Sequence, residues 1–168
     1  EVKHAYARAR ELCVQVGETP QLAPVLWGLA SFYGMKGEVQ TATELADHLM
    51  RLAQSTQDLT ALILAHRVYG VGSYWRGEFL SALDHFEQVL SFYDRQQPHA
   101  QAYLSVLDSA TLCQGYLSGT LWCLGYPDQA RKKIHEALTS AQEMSHPNSV
   151  TYALGWATLV HHHRRDVQ

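Results

Sequence analysis

The sequence predicts an all-α fold, an α-solenoid of antiparallel helix hairpins, and three observations carry the prediction. First, a short pattern recurs three times, at Lys36–Ala42, Arg76–Ala82 and Leu124–Ala130, and each copy places Gly five residues before Ala. Gly37 and Gly77 are 40 residues apart and Gly77 and Gly125 are 48 apart, a period that marks a repeat array. Second, apolar residues recur at helical spacing on both sides of each Gly. Third, 46% hydrophobic against 17% charged residues is enough to bury a sizeable core. The Gly–Ala pattern has a physical basis. Glycine just past a helix end adopts the left-handed cap conformation without steric cost, and alanine one turn into the next helix lets two antiparallel backbones approach closely.

Residues 1–17 read as the second helix of a hairpin lacking its partner, closed by Gly17. The unit at 19–56 opens with Thr19 as N-cap and Pro20 at the first helical position. Its first helix carries Leu22, Val25, Leu26, Leu29, Ala30 and Tyr33, and its second Ala42, Leu45, Ala46, Leu49 and Ala53. The unit at 58–95 opens with Asp58 as cap, and its second helix carries Ala82, Leu83, Phe86, Val89 and Leu90. The unit at 98–144 has eight extra residues between Phe92 and Leu112, where Gln96-Gln97-Pro98 breaks the helix. Asp108 or Ser109 caps its first helix, and Ala130, Ile134, Ala137, Leu138 and Ala141 stripe its second. Residues 147–168 read as a first helix without its partner. Neither end carries a purpose-built polar cap, so the array is expected to continue in a larger parent protein.

These residues resemble the tetratricopeptide (TPR) repeat. Tyr69-Gly70, Gly77, Ala82 and Phe86 match its pattern in one unit, Leu29, Tyr33, Gly37 and Ala42 in another, and Leu117, Gly125, Ala130 and Ala137 in the third. The resemblance implies a right-handed solenoid. The period is longer than the usual ~34 residues and closer to HEAT-like arrays, but the Gly-then-Ala spacing favours TPR. A narrower resemblance rests on Glu11-Leu12, Gly17 to Leu22, Phe92-Tyr93-Asp94 with Gln97, and above all Leu124–Ala130. These stretches are similar to the C-terminal TPR arm of large bacterial predicted ATPases, in which an adenylate/guanylate cyclase-type domain and a STAND-type AAA ATPase precede the repeats. Leu107–Ala110 departs from that family's pattern. The resemblance implies a regulatory or sensory arm.

No residue pattern supports catalysis. The chain has no phosphate-binding GxxxxGK[ST], no HExxH and no GxSxG, and Gly70-Val71-Gly72 lacks the third glycine of a dinucleotide loop. His161-His162-His163 are consecutive, so on a helix they point about 100° apart and do not converge on one ion. Glu38, Asp47, Glu78, Asp84 and Glu87 read as turn or surface acids. No catalytic, cofactor-binding or metal-binding residue is expected. A net charge of −3 lacks the basic footprint of a nucleic-acid binder, and Arg131-Lys132-Lys133 read as a solvated helix face. Cys13, Cys113 and Cys123 form no CxxC pair and read as buried, inert thiols in a reducing cytoplasm. No apolar run approaches the ~20 residues a membrane helix needs.

Counting back from each turn glycine places a partner-binding groove on the first helices of the hairpins: Trp27, Ser31, Arg67, Tyr74, Trp75 and Trp122. It is aromatic, with Arg67 as its main cation, which suits an apolar or helical segment. Gly34, Gly115 and Gly119 imply close helix approach or room for a ligand. The expected partner is a protein or peptide, with other domains of the parent and a second copy of the chain as open alternatives; neither nucleic acid nor membrane is expected. The function expected is a protein-interaction or regulatory scaffold within a multidomain bacterial signalling ATPase, and the alternative is a small-effector sensor domain of a STAND-type regulator.

Overall fold

The computed structural model describes residues 4, 5, 8, 11, 12, 15, 22–93 and 107–164. Among the described residues there is no strand, and seven helices follow one another: α1 (Leu22–Met35), α2 (Val39–Thr56), α3 (Leu59–Trp75), α4 (Phe79–Tyr93), α5 (Ser109–Cys123), α6 (Pro127–Glu143) and α7 (Pro147–Arg164). Turns of a few residues force consecutive helices to run antiparallel, so the fold is the all-α arrangement of paired helices expected of an α-solenoid. The caps expected at Thr19-Pro20, the turn at Gly17, Cys13 and the break at Gln96-Gln97-Pro98 lie outside the described residues.

The three repeat glycines share one local structure. Gly37, Gly77 and Gly125 have φ of 77°, 78° and 86°. The next residue's N–H then reaches back five residues to a carbonyl: Glu38 to Tyr33, Glu78 to Ser73 and Tyr126 to Leu121, each at 2.9 Å. This is the left-handed helix stop that satisfies carbonyls otherwise orphaned at a helix end. The alanines five residues on, Ala42, Ala82 and Ala130, are all buried. Two hairpins also carry an ion pair across the glycine, Lys36–Glu38 and Arg76–Glu78, each at 2.8 Å. Both are largely exposed, so each contributes no more than ~1 kcal/mol. The turns between hairpins use non-glycine residues in the same conformation, Gln57 (φ 54°) and Ser145 (φ 53°).

Two acids cap helices as the sequence predicts. Asp58 Oδ1 accepts from the Thr60 and Ala61 N–H groups at 2.8 and 3.4 Å. Asp108, rather than Ser109, caps α5: its Oδ2 accepts from the Thr111 N–H at 2.7 Å and the Thr111 hydroxyl at 2.9 Å.

The chain divides into two compact units, 1–72 and 73–168. In the first, α1 packs on α2, and Leu22, Leu26, Leu29, Leu45 and Leu49 form a core with Ala61 and Ala65 of α3. The Tyr69 hydroxyl of α3 donates to Asp47 of α2. Asp47 is therefore a half-buried acceptor, which corrects its reading as a surface acid. In the second unit, α5 packs against α4, against α6, which follows it, and against α7 beyond that. Contact with the next helix and the next but one is the neighbour relation of a stacked hairpin array. Phe86, Val89, Leu117, Ile134, Ala137, Ala153 and Val160 are buried there.

Candidate functional site

The predicted groove residues are placed as follows. In the first unit, Trp27 is half-buried against the core, and the guanidinium of Arg67 lies 5.1 Å from its ring centre. Arg67 is itself buried, so this cation belongs to the packing around Trp27 rather than to an open charged surface. Ser31 is half-buried one turn further along α1.

In the second unit, Tyr74 stands at the centre of an aromatic cluster. Its ring meets those of Trp75, Phe79, Tyr116 and Trp156 edge-on, with centres 5.4, 5.9, 5.2 and 5.9 Å away. Tyr116 also stacks on Phe86 at 5.6 Å with planes 16° apart. Burial raises the pKa of both Tyr74 and Tyr116 above the ordinary tyrosine value. Trp75 is different: it is 72% exposed, yet its indole N–H donates to the Tyr116 hydroxyl at 3.3 Å. A large aromatic held by a hydrogen bond while its face stays in water is a preformed anchor, because little side-chain freedom is left to lose on binding. Trp122 is half-buried and stacks on His163 at 5.5 Å with planes 24° apart.

Sequence reasoning missed Trp156, which fills the space left by two glycines of α5. A Cβ at Gly115 would lie 2.6 Å from Trp156 Cδ1, and one at Gly119 would lie 2.5 Å from Trp156 Cζ3. Of the two readings open for these glycines, close helix approach is the one realised: the indole of α7 lies against bare α5 backbone. The spacing of four residues between the glycines was the signal that could have found it. Gly34, by contrast, faces no atom closer than Ala42 Cβ at 4.0 Å.

The three consecutive histidines diverge. His161 meets His135 of α6 and His163 meets Trp122 of α5. Among the described residues no group of three His, Cys, Asp or Glu side chains is placed to hold a metal ion. Arg131 and Lys132 are exposed, and Lys133 pairs with Glu136 at 2.9 Å. Cys113 is buried as expected, but Cys123 is exposed, which corrects its reading as a buried thiol; it lies at the last turn of α5, where solvent reaches the helix end. Among the described residues no helix is long and apolar enough to cross a membrane.

A comparison with curated proteins found no match. A family model described as anaphase-promoting complex subunit 5 matches residues 11–71 and again residues 66–164. One model fitting two successive stretches is what an array of similar hairpins produces. The two matches span nearly the whole chain, and the protein belongs to the anaphase-promoting complex subunit 5 family of helical-repeat proteins.

Proposed function

We propose that the chain is a protein-interaction scaffold that holds an apolar or helical segment of a partner against the first helices of its hairpins. The observation that carries this is Trp75: large, 72% exposed and fixed by Tyr116. Trp27, Ser31 and Arg67 in the first unit and Tyr74 and Trp122 in the second complete the proposed binding set, with the half-buried members shaping the surface under the anchor. The family takes its name from a subunit of a complex, and a subunit held by protein contacts needs no chemistry beyond such a surface.

The finer proposal places this scaffold as a regulatory arm of a cytoplasmic, multidomain bacterial signalling ATPase. The resemblance of Leu124–Ala130 supports it, and the coding sequence upstream of Glu1 tests it: a nucleotide-binding module there is the expected result.

The scaffold role is tested at Trp75. Photo-crosslinking from position 75 captures the partner, and that partner is then titrated against the wild type and Trp75→Ala. Loss of an interface anchor is expected to weaken binding at least about tenfold with the melting temperature unchanged. Equal affinity for both proteins refutes the proposal, and capture of a small effector in place of a protein favours the sensor reading.

A further inference from the structure

The strongest feature outside the proposed groove is the outer face of α7. One side of this helix packs on α5 and α6 through Ala153, Trp156, Ala157 and Val160. The opposite side carries Thr151, Leu154, Gly155, Thr158, Leu159 and His162, and every one of them is exposed. Leu154 and Leu159 are each 49% exposed, and a Cβ built at Gly155 would meet nothing within 4 Å. The spacing of three and four residues makes this a continuous stripe along the helix.

The stripe is dry and uncharged. The hydroxyls of Thr151 and Thr158 donate to the carbonyls of Pro147 and Leu154 in their own helix, at 3.0 and 2.9 Å. No Asp, Glu, Lys or Arg occurs in residues 147–163. No like charges therefore oppose the approach of an identical surface.

The order of residues says which surface fits. When a helix meets its own copy about a two-fold axis, the two run antiparallel and residue i faces residue j while j faces i. Centred between Trp156 and Ala157, the stripe is palindromic in kind. Leu154 faces Leu159, Gly155 faces Thr158, and Thr151 faces His162. The small pair lies at the middle, where helices must come closest, and the leucines flank it on both sides.

We infer that α7 forms a two-fold interface with α7 of a second copy of this chain. The 18 residues of α7 span about 27 Å. One face of that length falls short of the ~800 Å² per partner that stable complexes bury, so the dimer is weak and dissociates on dilution. This face is separate from the proposed groove, so either reading can fail without the other.

Sedimentation equilibrium of the 168-residue chain over a concentration series is the first test. The wild type is expected to move from monomer to dimer as concentration rises, and Leu159→Glu to remain monomeric with an unchanged helical melting curve. The register is tested by oxidation in a background with Cys13→Ser and Cys123→Ser. A disulfide needs Cα atoms within about 7 Å, and identical positions five residues from their mates are offset ~7.5 Å along the helix before the gap between helices is added. A mixture of Leu154→Cys and Leu159→Cys chains is therefore expected to cross-link, and either alone is not. A monomer at every concentration, or cross-linking of the single variants as readily as of the mixture, overturns the inference.

Discussion

Replacing Gly119 with alanine sets two effects of known size against each other. Alanine is a better helix former by ~1 kcal/mol. Against this, its Cβ would lie 2.5 Å from Trp156 Cζ3, 3.1 Å from Trp156 Cη2 and 3.0 Å from the Tyr74 hydroxyl oxygen. Carbon atoms pack at ~3.5 Å or more, so the indole must move by about 1 Å. It has little room, because the rings of Tyr116, Tyr74 and Tyr152 sit 5.1, 5.9 and 6.4 Å from it, centre to centre. Overpacking of this kind costs ~1–3 kcal/mol, so the packing effect wins and the net loss is about 1 kcal/mol. In a Trp156→Ala background the clash with the indole is gone, and the same change is expected to stabilise by up to ~1 kcal/mol. The coupling between the two sites is then about 2 kcal/mol. Urea unfolding followed by circular dichroism, with the transition of residues 73–168 fitted on its own, measures all four corners of the cycle. Independent sites add within ~0.5 kcal/mol, so a coupling below that value refutes the claim that Trp156 occupies the space over Gly119.

Gly77→Ala and Gly125→Ala meet no atoms within 4 Å, so they test backbone conformation alone. Each is expected to destabilise by ~1–2 kcal/mol in denaturant unfolding, against no loss for the exposed Gly155→Ala, whose position is helical. Asp108→Ala removes a helix cap and leaves the Thr111 N–H without its acceptor, for an expected loss of ~1–2 kcal/mol, most of it recovered in Asp108→Asn. Alkaline pH is expected to weaken the second unit. Burial holds Tyr74 and Tyr116 protonated in the fold beyond the unfolded value near 10, so their contribution is complete below about pH 10 and is lost as pH rises from there. Tyr116→Phe should flatten that decline, read from stability measured across the tyrosinate absorbance titration.

The parts of the fold that were legible in the sequence are those set by neighbours in the chain. Gly37, Gly77 and Gly125 announce their turns because the left-handed conformation excludes most other residues. Asp58 and Asp108 announce caps because the donors they satisfy lie two or three residues away. The features that stayed hidden depend on helices far apart in sequence. Nothing local to Trp156 says that it lies on Gly115 and Gly119, or that Asp47 will take the Tyr69 hydroxyl. For the candidate site, counting from the turn glycine located the aromatic residues but not their exposure. Trp75 and Trp122 fall one position apart in that count, yet one is open to water and the other stacks on His163, because the ring that covers Trp122 comes from a helix 40 residues on.

One buried hydrogen bond bears on how the chain is made. The Asp108 N–H, at the start of α5, donates to the Ser149 hydroxyl at 3.1 Å, and that hydroxyl is held in turn by His146 at 2.7 Å. Donor and acceptor are 41 residues apart. During synthesis from the N-terminus, the beginning of α5 emerges well before the residue that completes it. Its first turn must wait, solvated, until two more helices have left the ribosome. The order of translation and the order of assembly therefore differ at this corner: the earlier helix is finished by the later one.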